Sequence, residues 1–341
     1  MRAPPRTAAN PRNHPTGPGA AHRNRTSIGA ADGFGRAGHG SVGITFRVID
    51  SPRIGCESSS RIDEYEEMTM PYLETTDGTR LAYEDYGTGA PILFLAGWAL
   101  DAEMWEYQVP FFVERGYRCV LPDRRGHGRS DRPSTGYDLD TRADDVAELV
   151  ERLDLRDLTL VAHSAGGAEV ARYLARHGTG RVGRIALFAT TLPFLRQTED
   201  NPEGLPDELS RASVAQWRTD RPKWFADRAQ GYFATHLGND VSPALIDHEI
   251  RRCLSASPWS TIAVWESTFS SDHRETLRNL PIPALVVHGV PDQSIPIDAS
   301  SRRTAKLIPD CVYKEYPTAG HGLYVTHAAQ LNQDLLDFMK S

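Results

Sequence analysis

Residues 158–178 read LTLVAHSAGGAEVARYLARHG, and this stretch decides the fold. Leu158–Ala162 is a short, mainly apolar run of the kind found in a strand covered on both faces. Gly167–His177 has the spacing of an amphipathic helix. Only Ala162-His163-Ser164-Ala165-Gly166 is left to turn the chain between them. A strand that enters a helix through so few small residues turns sharply, and the turn exposes the Ser164 hydroxyl at the strand's carboxyl end. The usual G-x-S-x-G pattern begins here with Ala162, whose methyl group crowds the turn without forbidding it. Outside this strand–turn–helix context, Ser164 would read as an ordinary helix N-cap.

Working outward, strand and helix patterns alternate. Tyr72–Thr75 and Arg80–Tyr86 flank Asp77-Gly78, a hairpin signal. Pro91–Ala96 (PILFLA) is a buried strand, Ala102–Arg115 has helical spacing, and Arg118–Pro122 is again a strand. Thr141–Leu153 reads as a helix and Arg184–Ala189 as a strand. Ala284–His288, Ala299–Ile308, Val312–Tyr316 and Val325–Lys340 continue as strand, helix, strand, helix. This order predicts an α/β fold with a mostly parallel sheet and right-handed crossovers. Residues 193–280 break the rhythm. They are rich in aromatics and helical in pattern, and read as a helical cap inserted after the sixth core strand. Most of those aromatics are expected to pack the cap onto the core, and a few to face a ligand cleft.

A serine hydroxyl is a poor nucleophile until a base takes its proton. His321 is the candidate base, in the loop Thr318-Ala319-Gly320-His321-Gly322 between the last strand and the last helix. His163 adjoins the nucleophile and is expected to point away from it. His127 lies in a polar loop, His288 ends a strand and His327 is on a helix. The imidazole needs an acid to fix its tautomer. Asp292 fits, just past a buried strand in ALVVHGVPDQSIP, and the chain order Ser164, Asp292, His321 is the one that serves this architecture. Asp298 reads as a helix cap. A developing oxyanion needs two donors. The Ala165 amide at the turn is one, and the Trp98 amide in Ala96-Gly97-Trp98-Ala99-Leu100 is the expected second, with the Trp98 indole lining the acyl pocket.

These residues resemble the α/β-hydrolase superfamily, and within it the branch of bacterial arylesterases and cofactor-free (non-haem) chloroperoxidases, or perhydrolases. The likeness runs from about Pro71 to the C-terminus. It rests on DGTRLAYEDYG, the Gly97-Trp98 turn, PDRRGHGRSDRP, HSAGGAEVARYLARHG, HGVPDQSIPID and AGHGLYVTHAAQLNQDLLDF. The resemblance implies a Ser164–His321–Asp292 triad, a Trp98/Ala165 oxyanion hole and no metal, haem or other cofactor. The Asp123–Ser130 run is taken as a structural loop near the site. Three positions depart from the pattern. Ala96 stands where a histidine is often found, Ala162 where the elbow has glycine, and Ala99 where peroxidase-like members tend to carry proline. The last tilts the expectation from perhydrolysis toward hydrolysis of a small ester or lactone. A non-catalytic small-ligand receptor on the same fold, a lyase and a carbon–carbon hydrolase are the other readings. Epoxide hydrolase and dehalogenase chemistry would need an aspartate in place of Ser164.

Composition narrows the classes further. The 341 residues carry a formal charge of −7, which argues against nucleic acid as a partner, and no run of eighteen apolar residues suggests a membrane span. Cys56, Cys119, Cys253 and Cys311 lack metal-ligand spacing and read as free thiols, which favours a cytoplasmic setting. The oligomeric state is left open, with a homo-oligomer allowed. Residues 1–67 differ in kind: rich in Arg, Pro, Gly, Ala and Ser, without period, and expected to be disordered. Their first forty residues show no apolar h-region of a secretory signal, and a start at Met68 or Met70 would open the compact domain, 68–341, cleanly.

Overall fold

The computed structural model describes residues 71–341, so the expectations for residues 1–67 and for the start at Met68 or Met70 lie outside the described residues. In chain order the elements are β1 (Tyr72–Glu74), β2 (Arg80–Tyr86), β3 (Pro91–Leu95), α1 (Val109–Val113), β4 (Arg118–Pro122), α2 (Leu139–Arg152), β5 (Leu158–His163), α3 (Gly166–His177) and β6 (Val182–Phe188). Then come α4 (Asp207–Phe233), α5 (Pro243–Ser255), α6 (Pro258–Phe269), α7 (Arg274–Arg278), β7 (Ala284–Gly289), α8 (Ser301–Leu307), β8 (Cys311–Tyr316), α9 (Leu323–Thr326) and α10 (Ala328–Lys340). The eight strands form one sheet in the order β1-β2-β4-β3-β5-β6-β7-β8. β1 and β2 are antiparallel to their neighbours, and all later pairings are parallel.

The sequence explains the layers. All six residues of β5 and all six of β7 are buried, as continuous apolar strands must be when helices cover both faces. One face packs α2 and α3 through Val146, Leu149, Val150, Val170 and Leu174. The other packs the segments after β3 and β8 through Trp105, Phe112, Leu331 and Leu335. Each such side chain contributes about 1.5–3 kcal/mol when fully buried. Cys119 lies in β4 and Cys311 in β8, and burial pushes the Cys119 thiol up to about 12. Among the described residues Cys119, Cys253 and Cys311 are free thiols.

Several boundaries differ from expectation for local reasons. The helix expected over Ala102–Arg115 splits into a 3-10 turn, Ala102–Trp105, and α1, because Pro110 has no N–H to continue a ladder and so starts a new helix. α2 begins two residues early because the Asp138 carboxylate accepts the Thr141 amide at 2.9 Å. The last helical segment divides into α9 and α10 at His327. Asp298 is not a helix cap. Ser300 precedes α8, and the Asp298 side chain instead pairs with Arg302 at 2.9 Å.

Between β6 and β7 the chain leaves the sheet for α4–α7, the four helices of the cap region. α4 is kinked at Asp220, just before Pro222, whose ring cannot join the helical ladder. The carboxyl end of α4 rests on the loop around His321: the Gly322 amide donates to the Tyr232 carbonyl at 2.8 Å. A Cβ at Gly322 would come within 2.6 Å of the Phe233 ring, so only glycine allows this approach. Among the described residues, no helix is long and apolar enough to cross a membrane.

Candidate active site

Parallel strands all end on one side of the sheet, and turns at three of those ends bring the proposed triad residues together. Ser164 follows β5 with φ +53°, a left-handed backbone that costs a non-glycine residue energy and is held here by its surroundings. Its amide donates to Phe188 O at 3.0 Å, and its carbonyl accepts the amides of Gly167 (3.1 Å) and Thr191 (3.2 Å). Asp292 sits in the turn after β7, and His321 in the loop after β8. His321 Nδ1 lies 2.6 Å from Asp292 Oδ2, and His321 Nε2 lies 3.0 Å from Ser164 Oγ. All three residues are buried.

Hydrogen-bond arithmetic assigns the protons. An ionised carboxylate only accepts, so His321 Nδ1 must carry hydrogen toward Asp292. Nε2 of the neutral ring then presents a lone pair, and the Ser164 hydroxyl donates to it. Asp292 is saturated. Its Oδ1 accepts the amides of Ser294 (2.8 Å) and Ile295 (3.0 Å), and its Oδ2 faces both His321 and His288 Nε2 at 3.1 Å. Burial alone would raise its pKa, but electrostatic attraction to the His321 ring and the bonds from His288 and His321 hold the carboxyl well below its usual range.

His288 is a participant that the sequence left as the plain end of a strand. Its Nε2 faces Asp292 and the Ile295 carbonyl (3.0 Å), both acceptors, so Nε2 bears the hydrogen and Nδ1 accepts from Ser301 Oγ at 2.6 Å. The four-residue spacing from His288 to Asp292 was the available signal. His163 also departs from expectation. It does not point away from the site: its ring lies 4.7 Å from that of His321, and its Nε2–H donates to the His321 carbonyl at 2.9 Å. Burial, and then electrostatic coupling to the neighbouring His321 ring, push the His163 pKa well below its ordinary value, so it stays neutral.

Trp98 and Ala165 flank Ser164 from the β3 loop and the start of α3. Among the described residues neither amide donates to a protein acceptor. The Trp98 indole hangs from the cap, with Nε1 donating to Thr261 O of α6 at 2.7 Å. It packs against Trp217, Trp224, Phe225 and Trp265, with ring centroids 4.4–6.1 Å apart. These rings, Ser164 and His321 line a cavity of about 590 Å³. That is the size and lining of a small-molecule site. Trp259, another aromatic of the cap region, is instead exposed, its indole donating to Ser134 O at 3.0 Å.

The Asp123–Ser130 loop packs directly behind the site. The Arg124 guanidinium donates to Ala96 O (2.7 Å) and Gly97 O (3.2 Å) and pairs with Glu169. Its neighbour Arg125 pairs with Asp145 and Asp77. Tyr324, just after His321, ties the same region to the cap by donating to Glu249 Oε2 at 2.8 Å. No sequence signal announces this contact, because its partners meet only when α5 packs.

Comparison with known proteins agrees with this architecture. Residues 90–328 match the family model described as alpha/beta hydrolase fold. A non-heme haloperoxidase from Rhodococcus erythropolis is 39% identical, the match covering 80% of this chain and 100% of the relative. A bifunctional esterase/perhydrolase from Acinetobacter calcoaceticus is 35% identical, covering 80% and 100%. The crystal structure of a bromoperoxidase from Bacillus anthracis superposes with a TM-score of 0.74 at 36% identity, over 77% of this chain and 96% of that one. By family model, by sequence and by fold, the chain is an enzyme of the α/β-hydrolase family, in the branch that holds the non-haem haloperoxidases and their esterase relatives.

Proposed function

We propose that this enzyme cleaves a small carboxylic ester or lactone through an acyl-enzyme. Ser164 Oγ attacks the carbonyl carbon while His321 Nε2 takes its proton. Negative charge develops on the carbonyl oxygen, and the amides of Trp98 and Ala165 receive it. The carbon–oxygen bond to the leaving alkoxide breaks, and the imidazolium returns the proton to that oxygen. A water molecule, deprotonated by His321, then attacks the acyl carbon and releases the acid and Ser164. Asp292 keeps His321 in the tautomer that can accept. The observation that carries the proposal is the continuous chain Ser164 Oγ–His321–Asp292, at 3.0 and 2.6 Å, opening on an aromatic-lined cavity.

A second reading, in which hydrogen peroxide replaces water to give a peracid, is favoured by the names of the relatives. Against it stands Ala99, whose φ of +62° lies in a region closed to proline. A proline at that position, as peroxidase-like members tend to carry, would require a different backbone beside the oxyanion donors. The test is hydrolysis of p-nitrophenyl acetate, butyrate and octanoate, with Ser164→Ala as control and a parallel peroxide-plus-acetate assay. Turnover at least about 10³-fold lower in Ser164→Ala, without peracid from the parent, is the expected result. Undiminished activity in the variant would sink the mechanism, and serine-dependent peracid would move the enzyme to perhydrolysis. Failure of Ser164 to react with an activated phosphonate would favour a non-catalytic receptor.

A further inference from the structure

The loop that carries Trp98 is unusually free on one count and firmly held on another. Residue 97 has to be glycine, because a Cβ there would lie 2.6 Å from His163 Nδ1. A glycine at 97 removes the restraint on one side of the Gly97–Trp98 peptide, since a flip changes mainly ψ of residue 97, where glycine tolerates most values, and φ of residue 98. In a trans peptide the C=O and the N–H point in opposite directions. Whatever holds Gly97 O therefore decides where the Trp98 N–H points.

That oxygen is held by Arg124. Nη1 donates to Gly97 O at 3.2 Å and Nη2 to Ala96 O at 2.7 Å, so one guanidinium grips two successive carbonyls. Its other edge pairs with Glu169, through Nε to Oε1 and through Nη2 to Oε2 at 2.9 Å. Glu169 Oε1 also accepts from Arg142 Nη1 at 2.6 Å. Every side chain of this trio is 5% exposed or less. The remaining donor to Gly97 O among the described residues is the Leu100 amide at 3.3 Å, from within the same loop and free to move with it. Burying a charged trio is costly, and a planar fork fixed on one edge by a carboxylate is the side chain suited to holding two carbonyls with the other.

We propose that Arg124 is a positioning residue that sets the oxyanion hole: by holding Gly97 O on the core side, it turns the Trp98 N–H toward the cavity beside Ser164. This rests on the ester-hydrolase proposal above and assigns work to a loop motif which the triad itself does not use.

The trio carries a net positive charge, so Arg124→Gln and Arg142→Gln each leave Glu169 with one arginine and a balanced buried pair. Only the first releases Gly97 O. With purified full-length protein and p-nitrophenyl acetate, Arg124→Gln is expected to lower kcat about 10²–10³-fold with KM nearly unchanged, the loss typical of one oxyanion donor. Inhibition by phenylboronic acid, which presents a tetrahedral centre at serine, weakens in proportion to kcat/KM. Arg142→Gln keeps kcat within about threefold of the parent, on the premise that an oxyanion donor alone accounts for the larger loss. Crystal structures of the two variants supply the readout that needs no activity: the Gly97–Trp98 peptide turns or splits into two orientations in Arg124→Gln and stays single in Arg142→Gln. If Arg124→Gln fails to fold, Arg124→Lys, which keeps a charge against Glu169 but cannot span both carbonyls, takes its place. Equal losses in the two variants, near-parental turnover of the Arg124 variant, or an unmoved peptide in its crystals would overturn the proposal. Should the parent show no Ser164-dependent hydrolysis, the ester-hydrolase proposal falls by itself, and the peptide orientation still decides what Arg124 does.

Discussion

Replacing Asp292 by asparagine is the sharpest test of how the triad is wired. The side chain keeps its shape but exchanges one acceptor oxygen for an NH2 group, and the surroundings dictate which one. Oδ1 accepts two backbone amides, from Ser294 and Ile295, and these cannot change their protonation. Oδ2 faces two imidazoles. Turning the NH2 toward the amides would set it against two fixed donors and leave both without an acceptor, at about 1–3 kcal/mol each. Turning it toward the imidazoles conflicts with one donor, His288 Nε2–H, which retains the Ile295 carbonyl. The NH2 therefore faces His321 Nδ1. His321 must then accept at Nδ1 and carry its hydrogen on Nε2, where it meets Ser164 and can no longer take a proton. The expected loss in kcat is about 10⁴-fold, or roughly 5 kcal/mol of barrier, with the fold intact. The assays are steady-state hydrolysis of p-nitrophenyl acetate and the ¹⁵N shifts of the His321 ring, which report its tautomer. A kcat within tenfold of the parent, or a His321 ring still protonated at Nδ1, would refute the assignment of Asp292.

Three further outcomes are expected. Asp101 is buried beside Asp123 and Glu103; burial first, and then those two charges, push its carboxyl up to about 7. The folded protein thus holds a proton that the unfolded chain has released, so stability falls as pH rises from about 4 to 7. Asp101→Asn should be the more stable protein at pH 8, by an amount on the order of 2–4 kcal/mol, and should lose this part of the pH slope; superimposable urea midpoints of the two proteins across that range would count against it. Ala99→Pro forces a residue out of its φ of +62° and should destabilise the protein by more than about 1 kcal/mol while reducing ester turnover; unaltered turnover would mean that the Trp98 loop is not held as described. A chain started at Met70 retains every described element and should match the full chain in specific activity, an expectation that fails if the shortened protein is insoluble or inactive while the full chain works.

The elements that the sequence announced are those whose burial is decided locally. LTLVA and ALVVH are mainly apolar because both faces of the strand are covered, and their ends fall within a residue or two of the expected positions. Where tertiary packing decides, the sequence was silent or misleading. Side-chain alternation along a strand would put His163 opposite Ser164, but the left-handed φ of Ser164 breaks that alternation, and the loop bearing His321 comes from far along the chain to meet the His163 ring. His288 looked unremarkable because its partner Asp292 returns to it only once the turn after β7 closes. Asp298 carried a capping signal, yet Arg302 one turn later competes for the carboxylate and wins it. The cavity was the least legible feature. Apart from Trp98, the aromatic rings named in its walls come from α4 and α6, and no spacing rule states how those helices lean on the sheet.

The three departures from the family pattern are instructive together, since each replaces a distinctive residue by alanine within or beside the candidate site. Ala96 acts through its carbonyl, which Arg124 grips. Ala99 acts through its backbone, in a left-handed turn that leads away from Trp98. Ala162 lies buried at the end of β5, where its methyl group is accommodated and the elbow still reaches its positive φ at Ser164. The donors assigned to the oxyanion are likewise backbone amides. A site whose geometry is carried by peptide groups tolerates changed side chains as long as the peptides keep their orientation. What must then be specified is whatever fixes those peptides, and in this protein that is a buried guanidinium behind the loop, a carbonyl of α6 holding the Trp98 indole, and a strained serine locked between Phe188 and Thr191. It follows that a substitution at Arg124, which touches neither Ser164 nor His321, should cost more activity than a change of side-chain size at Ala96, and that ordering is a stricter test of the site than the loss of Ser164 itself.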